Sequence, residues 1–131
     1  MLTLMDEKMI VRKEDYFTPE VILDSENGKI SIRGRCTPIH ANLFFLPLTQ
    51  WAQRYATSPH NPTLVNIYVD FLNSSSKPYL GDFIKELAEV MYKGYKLEVT
   101  WFIENGDEDM QEIAQYLSET THVMISVESG G

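Results

Sequence analysis

The chain has 131 residues, with 19 acidic against 11 basic side chains for a net charge of −8, 44% hydrophobic residues and a single cysteine. That length predicts one domain, 1–131, with a core large enough to stand without staples, and one cysteine excludes a disulfide framework. Lone Cys36 predicts a reducing, cytoplasmic setting, and the surplus negative charge argues against a nucleic-acid partner. The opening MLTLMDEKMIV carries acids where a secretion signal would carry a basic patch and a long apolar run. No apolar run approaches the ~18–20 residues of a membrane span. The charge is also uneven: residues 1–96 hold eleven acids and all eleven bases, whereas residues 97–131 hold eight acids and no lysine or arginine.

In chain order, the first fifteen residues give no clear assignment, although Met9 to Val11 fit a short edge strand. Glu20–Leu23 and Lys29–Arg33 read as two strands around a turn, with Asn27-Gly28 supplying the positive φ of a tight hairpin and Gly34 ending it. From Asn42, the apolar residues Phe44, Leu48, Trp51 and Tyr55 recur at helical spacing until Thr57-Ser58-Pro59. Pro47 predicts a helix that either starts near Leu46 or kinks there. Leu64–Phe71 alternates as a strand and leads through a short turn, Leu72 to Ser76, into a second helix. Its stripe is Leu80, Phe83, Ile84, Leu87 and Met91, with Pro78 in the first turn and Gly94 as the stop.

Leu97–Ile103 alternates again. The turn from Glu104 to Asp109 feeds a third helix with Met110, Ile113, Ala114 and Leu117 on one face, and Val123, Ile125 and Val127 make a last strand. Ser129-Gly130-Gly131 reads as a tail. Strands alternating with single helices after a hairpin predict an α/β domain with right-handed crossovers and a mostly parallel sheet.

In such a sheet, sites form where strand carboxyl ends meet helix N-termini. Two loops qualify: Asn73-Ser74-Ser75-Ser76-Lys77, and the acidic Glu104, Asp107, Glu108 and Asp109. Adjacent parallel strands would put both on one edge. A serine here can cap the helix, but capping needs only one of three; the free amides also suit a bound phosphate or a phosphorylated side chain. The acids can serve as helix-dipole partners, as Mg²⁺ ligands or as partner-facing charge.

Serine-nucleophile chemistry fails on geometry. His122 opens the last strand and so lies at the far edge, roughly 20 Å away at ~3.3 Å per residue. His40 and His60 flank the first helix with no evident reach to Ser74, and there is no G-x-S-x-G elbow. Cys36 and His40 lack the companions of a metal site. Trp51 and Trp101 fall in apolar stripes and are expected in the core. The expectation is a binding protein without catalytic residues, cofactor or metal.

The serine turn carries a resemblance. Thr18-Pro19, Asp24, Gly28, Gly34, Pro38, Pro47, Trp51, Phe71-Leu72-Asn73-Ser74-Ser75-Ser76-Lys77, and Trp101 followed by Asp107-Glu108-Asp109-Met110 resemble the pattern of the SiaC family of bacterial regulatory phosphoproteins, from about Thr18 to Val127. The resemblance implies a STAS-like fold, related to anti-anti-sigma factors, and a partner-switching role. It implies a serine/threonine kinase of the histidine-kinase-like ATPase type, a PP2C-type phosphatase, and a diguanylate cyclase bound and activated by the unmodified protein, with biofilm formation downstream. The phosphoacceptor position falls on Ser74. Where the family reads Gly-Glu-Ser-Tyr-Pro-Glu-Asn, this chain has Gly34-Arg35-Cys36-Thr37-Pro38-Ile39-His40, which implies altered partners at that segment. The alternative from the residues alone is a small-ligand or nucleotide-binding α/β domain that holds phosphate on the serine turn and Mg²⁺ on the acids.

Overall fold

The computed structural model describes residues 2–6 and 9–129, with side chains from Met9 onward. Four strands, β1 (Leu2–Asp6), β2 (Met9–Arg12), β3 (Glu20–Asp24) and β4 (Lys29–Cys36), form an antiparallel meander. From β4 the chain crosses through α1 (Ala41–Tyr55) to β5 (Thr63–Leu72), through α2 (Lys77–Leu87) to β6 (Leu97–Ile103), and through α3 (Glu108–Thr121) to β7 (Ile125–Ser129). These last three strands continue the sheet in parallel, so strand order equals chain order across seven strands. Crossovers of one hand that always step the same way put every helix on one face; α1 packs on α2 and α2 on α3. Among the described residues no helix is long and apolar enough to cross a membrane.

Alternation along the strands fills the space beneath the helices. Val65, Ile67 and Val69 of β5 and Val99, Trp101 and Ile103 of β6 meet Phe45, Leu48, Leu80, Phe83, Ile84 and Leu117, all buried. Each such side chain contributes about 1.5–3 kcal/mol relative to exposure. Trp101 also donates its indole N–H to the Val69 carbonyl at 3.1 Å, which satisfies its polar atom inside the core. Trp51 is buried and stacks on Tyr55 with centroids 4.9 Å apart. The opposite face carries a row across three strands, in which Tyr68 stacks on Phe102 at 4.6 Å and the Arg33 guanidinium lies 3.9 Å from the Tyr68 ring.

Several local expectations are corrected. Met9–Arg12 is a strand but not an edge, because β1 pairs outside it. Only Gly28 of the Asn27-Gly28 pair has positive φ (64°). The β3–β4 loop is longer than a tight turn and is held by Asp24, whose carboxylate accepts from the Asn27 amide and side chain at 3.1 and 2.9 Å. Gly34 does not end its strand: β4 runs on to Cys36, with a register slip between Gly34 and Arg35.

Helix α1 starts at Ala41 and includes Pro47. The missing bond costs about 3 kcal/mol, less than burying Phe44, Phe45 and Leu48 returns. Met91 is 41% exposed while Val90 is fully buried. After Leu87 the helix tightens into a 3₁₀ turn, Ala88–Lys93, so the inward position falls three residues on and not four. His122 is the left-handed C-cap of α3 (φ 59°), not the first residue of β7. Ser129 belongs to β7, while Gly130 and Gly131 of the expected tail lie outside the described residues.

Candidate functional site

β5 and β6 are parallel neighbours, so the serine turn and the acidic loop lie on the same edge, as their positions in the sequence suggest. The serine turn is pinned by Asn73. Its amide donates to the Cys36 carbonyl at 3.1 Å and its side-chain amide to the Pro38 carbonyl at 3.3 Å, which ties the end of β5 to the segment leading into α1. The Ser76 amide then returns to the Asn73 carbonyl at 3.1 Å, closing the turn on which α2 starts.

The three serines have different surroundings. Ser74 and Ser75 are exposed, and Ser76 is completely buried. Ser76 occupies the N-cap of α2, yet its side chain makes no cap bond, so the capping role open to a serine here is not taken up. Its hydroxyl instead lies beside the buried Cys36 thiol. Burial pushes that thiol up to about 12, against the opposing pull of the Ser76 hydroxyl and Arg12. Lys77 begins α2 and places its ammonium 5.9 Å from the Tyr116 ring of α3.

Between the end of β5 and the start of α3 is a cleft of about 340 Å³, lined by Asp70, Phe71 and Leu72 on one wall and Asp107, Asp109, Met110 and Ile113 on the other. The β5 wall leads directly into Ser74. A smaller pocket of about 150 Å³ adjoins it, sharing Asp70, Asp107 and Met110 and adding Glu104, Arg33, Tyr68 and Phe102. Three of the four acids singled out in the sequence, Glu104, Asp107 and Asp109, therefore line these hollows. Glu108 is exposed in the first turn of α3 and lines neither. Asp107 is the N-cap of α3, its Oδ1 accepting from the Met110 amide at 3.1 Å. Glu108 and Asp109 follow in the first turn, where negative charge suits the helix dipole. Among the described residues no group of three or more His, Cys, Asp or Glu side chains is placed to hold a metal ion.

Residues 12–129 match the model of the SiaC family, described as a regulatory phosphoprotein. The chain belongs to the SiaC family. A curated relative, an uncharacterised protein of Pseudomonas aeruginosa strain UCBPP-PA14, is 24% identical over 102 residues, covering 78% of this chain and 81% of that protein. SiaC of P. aeruginosa has the same fold, with a TM-score of 0.81 at 19% identity over 93% of this chain and 98% of that one. A chain in the structure of diguanylate cyclase SiaD in complex with its activator SiaC gives 0.82 at 20% identity, covering 92% and 98%. This SiaC-family regulatory phosphoprotein is thus a mixed α/β domain, as its alternating elements foretell.

Residues outside the turn and loop contribute to the site in ways the linear reading missed. Tyr68 and Asp70 read as the outward half of an alternating strand and Phe71 as part of the inward half with Val65, Ile67 and Val69. The register slip near the end of β5 instead leaves Phe71 52% exposed on the cleft and buries Leu72, and nothing local signals that Asp70 faces α3 across a cleft. The histidines divide by edge. His40, at the N-cap of α1, lies on the serine edge but lines a different cavity. His60 turns its Nδ1 to the Pro62 carbonyl at 3.0 Å, and His122 ends α3.

Proposed function

We propose that this protein is the phosphorylatable member of a partner switch. Unmodified, it binds and activates a diguanylate cyclase in the cytoplasm; a serine/threonine kinase of the histidine-kinase-like ATPase type phosphorylates Ser74, and a PP2C-type phosphatase restores it. It acts by binding and catalyses nothing itself. Membership of a family of regulatory phosphoproteins supports this reading, as does a fold shared with SiaC, described in its complex as the activator of SiaD. The observation that carries it is the contrast along the turn. Ser74 is exposed at the end of β5, on a turn held by Asn73, whereas Ser76 is sealed against Cys36.

The mechanism follows from charge. A phosphate on Ser74 adds about −1.5 to −2 charges at the start of α2, where free amides and the helix dipole accommodate it at a gain of about 0.3–1 kcal/mol. The fold need not change. A partner packed on this edge meets a dianion it must desolvate, beside Asp70, Asp107 and Asp109, which supply no compensating cation. Release is the expected outcome.

The decisive experiment compares cyclase binding by Ser74→Ala and Ser74→Asp, alongside intact mass and site mapping after incubation with kinase and ATP. One phosphate on Ser74 and weak binding by Ser74→Asp are expected. Equal affinities for the two variants would remove this account.

A further inference from the structure

We infer that a second cavity, at the start of α1, receives an acidic side chain of the partner protein. The inference rests on the partner-switch reading and names the chemistry of the partner. The cavity has a volume of about 320 Å³ and is lined by Arg12, Asp15, Thr18, Ile39, His40 and Leu43, among others.

Three features make its floor a receptor for a carboxylate. First, α1 opens without a side-chain cap and without an acid in its first turn; its first amides, those of Ala41 and Asn42, have no partner within the helix. The helix from Ala41 to Tyr55 contains no acid at all. Second, the Arg12 guanidinium lies 4.3 Å from the Phe44 ring, with a buried Nε that has no hydrogen-bond partner among the described residues. Third, the Thr18 side chain is only 6% exposed, and its hydroxyl likewise has no partner in hydrogen-bonding geometry.

Asp15 shares the cavity and is the one anion among its described lining residues. Its Oδ1 is already engaged by the Phe17 and Thr18 amides at 2.9 and 2.8 Å. The Thr18 hydroxyl comes near enough to help hold the Asp15 carboxyl below the usual range, without completing a regular hydrogen bond. An arriving carboxylate gives these orphaned donors what they lack, and charge-assisted bonds of this kind are the stronger ones.

The rim specifies what accompanies the acid. Ile39 is 75% exposed and Leu43 62% exposed, so apolar residues beside the partner's acid have somewhere to pack. Charge complementarity extends beyond the cavity. Residues 27–69 contain Lys29, Arg33, Arg35 and Arg54 and not one Asp or Glu. The cavity is also continuous with the switch, because Pro38 lines it while its carbonyl holds the Asn73 side chain. An acid docked here would face a phosphate on Ser74 as a like charge, which gives release a specific target.

The test needs no cyclase, so its failure is distinct from failure of the partner-switch reading. Full-length ¹⁵N-labelled protein is titrated with the capped dipeptide acetyl-Leu-Glu-amide, with its neutral counterpart acetyl-Leu-Gln-amide, and with inorganic phosphate. Expected are saturable amide shifts at Thr18, Ala41 and Asn42 with the glutamate peptide, weaker by about tenfold or more in Arg12→Met and weakened in the near-isosteric Thr18→Val. The same shifts with both peptides, no shifts at these amides, or an unchanged response in both variants would overturn the proposal. Phosphate saturating the same amides at lower concentration than the peptide would also overturn it, by making the cavity a small-anion site.

Discussion

The two flanks of the serine turn are built from opposite materials. On one side, β4, α1 and most of β5 hold no acid between residues 27 and 69; on the other, β6, α3 and β7 hold no lysine or arginine from residue 97 onward. The first flank is tied to the turn by the Asn73 bonds to Cys36 and Pro38. The second is separated from it by a cleft lined with Asp70, Asp107 and Asp109. A net charge of −8 therefore hides a dipole whose middle is the proposed phosphosite. A phosphate on Ser74 would move that boundary, carrying acid character from the α3 flank onto the edge of the basic one.

The largest expected effect tests that boundary. Ser74→Asp should weaken cyclase binding relative to Ser74→Ala by about ten- to a hundredfold, the range of a charge placed in a desolvated interface, measured by calorimetry. Folding stability should move little between the two variants.

The anchored flank offers the next test. Because burial raises the Cys36 thiol to about 12, the folded state keeps a proton that the unfolded chain releases near pH 9. Stability from this group is full below about pH 9 and is lost as pH rises towards 12, with a slope of up to about 1.4 kcal/mol per pH unit. Denaturant melts from pH 8 to 11 should show the decline in the native chain and lose it in Cys36→Ala, whatever that variant costs in absolute stability.

On the acidic flank, Asp107→Ala removes the side-chain cap of α3 and should cost about 1 kcal/mol, read from urea midpoints. Asp107→Asn, which retains a capping oxygen, should recover most of it. The smallest effect sharpens the electrostatic part. Asp109→Asn should reduce the binding penalty of Ser74→Asp by a few tenths of a kcal/mol, and raising salt from 0.05 to about 0.5 M should shrink the remainder, since exposed charges are screened beyond a few ångströms.

Much of this organisation is legible along the chain. The strands β5 and β6 follow from period-2 alternation, and α3 from its stripe and its acidic start, because these segments are each buried on one side only and their polarity records it; β3 and β4 follow from the turn signal at Asn27-Gly28 between them. Both loops of the candidate site were also legible, since each is a polar interruption between a strand and a helix. Where the reading failed, distant contacts outweighed local preference. Pro47 stays within α1 because the core beneath repays the missing bond, and Val90 displaces Met91 because the chain tightens to reach the turn at Gly94. Ser76 is the telling case: three consecutive serines are alike in sequence, yet the third is sealed beside Cys36 of β4 while the other two face solvent.

The sequence by itself therefore determined the element order from β3 onward, the α/β class and the polarised charge, because each is carried by spacing or composition along the chain. It pointed to the family through the residues of the serine turn and the acidic start of α3; the two strands before β3 were not clearly legible in it. Only the tertiary structure decided which serines face solvent, that Asp70 joins Asp107 and Asp109 across a cleft, and that Arg12 and Thr18 meet the uncapped start of α1. Those groups are brought together by strand pairing and helix packing, and the free energy that selects such pairings belongs to the assembled core, not to any one segment.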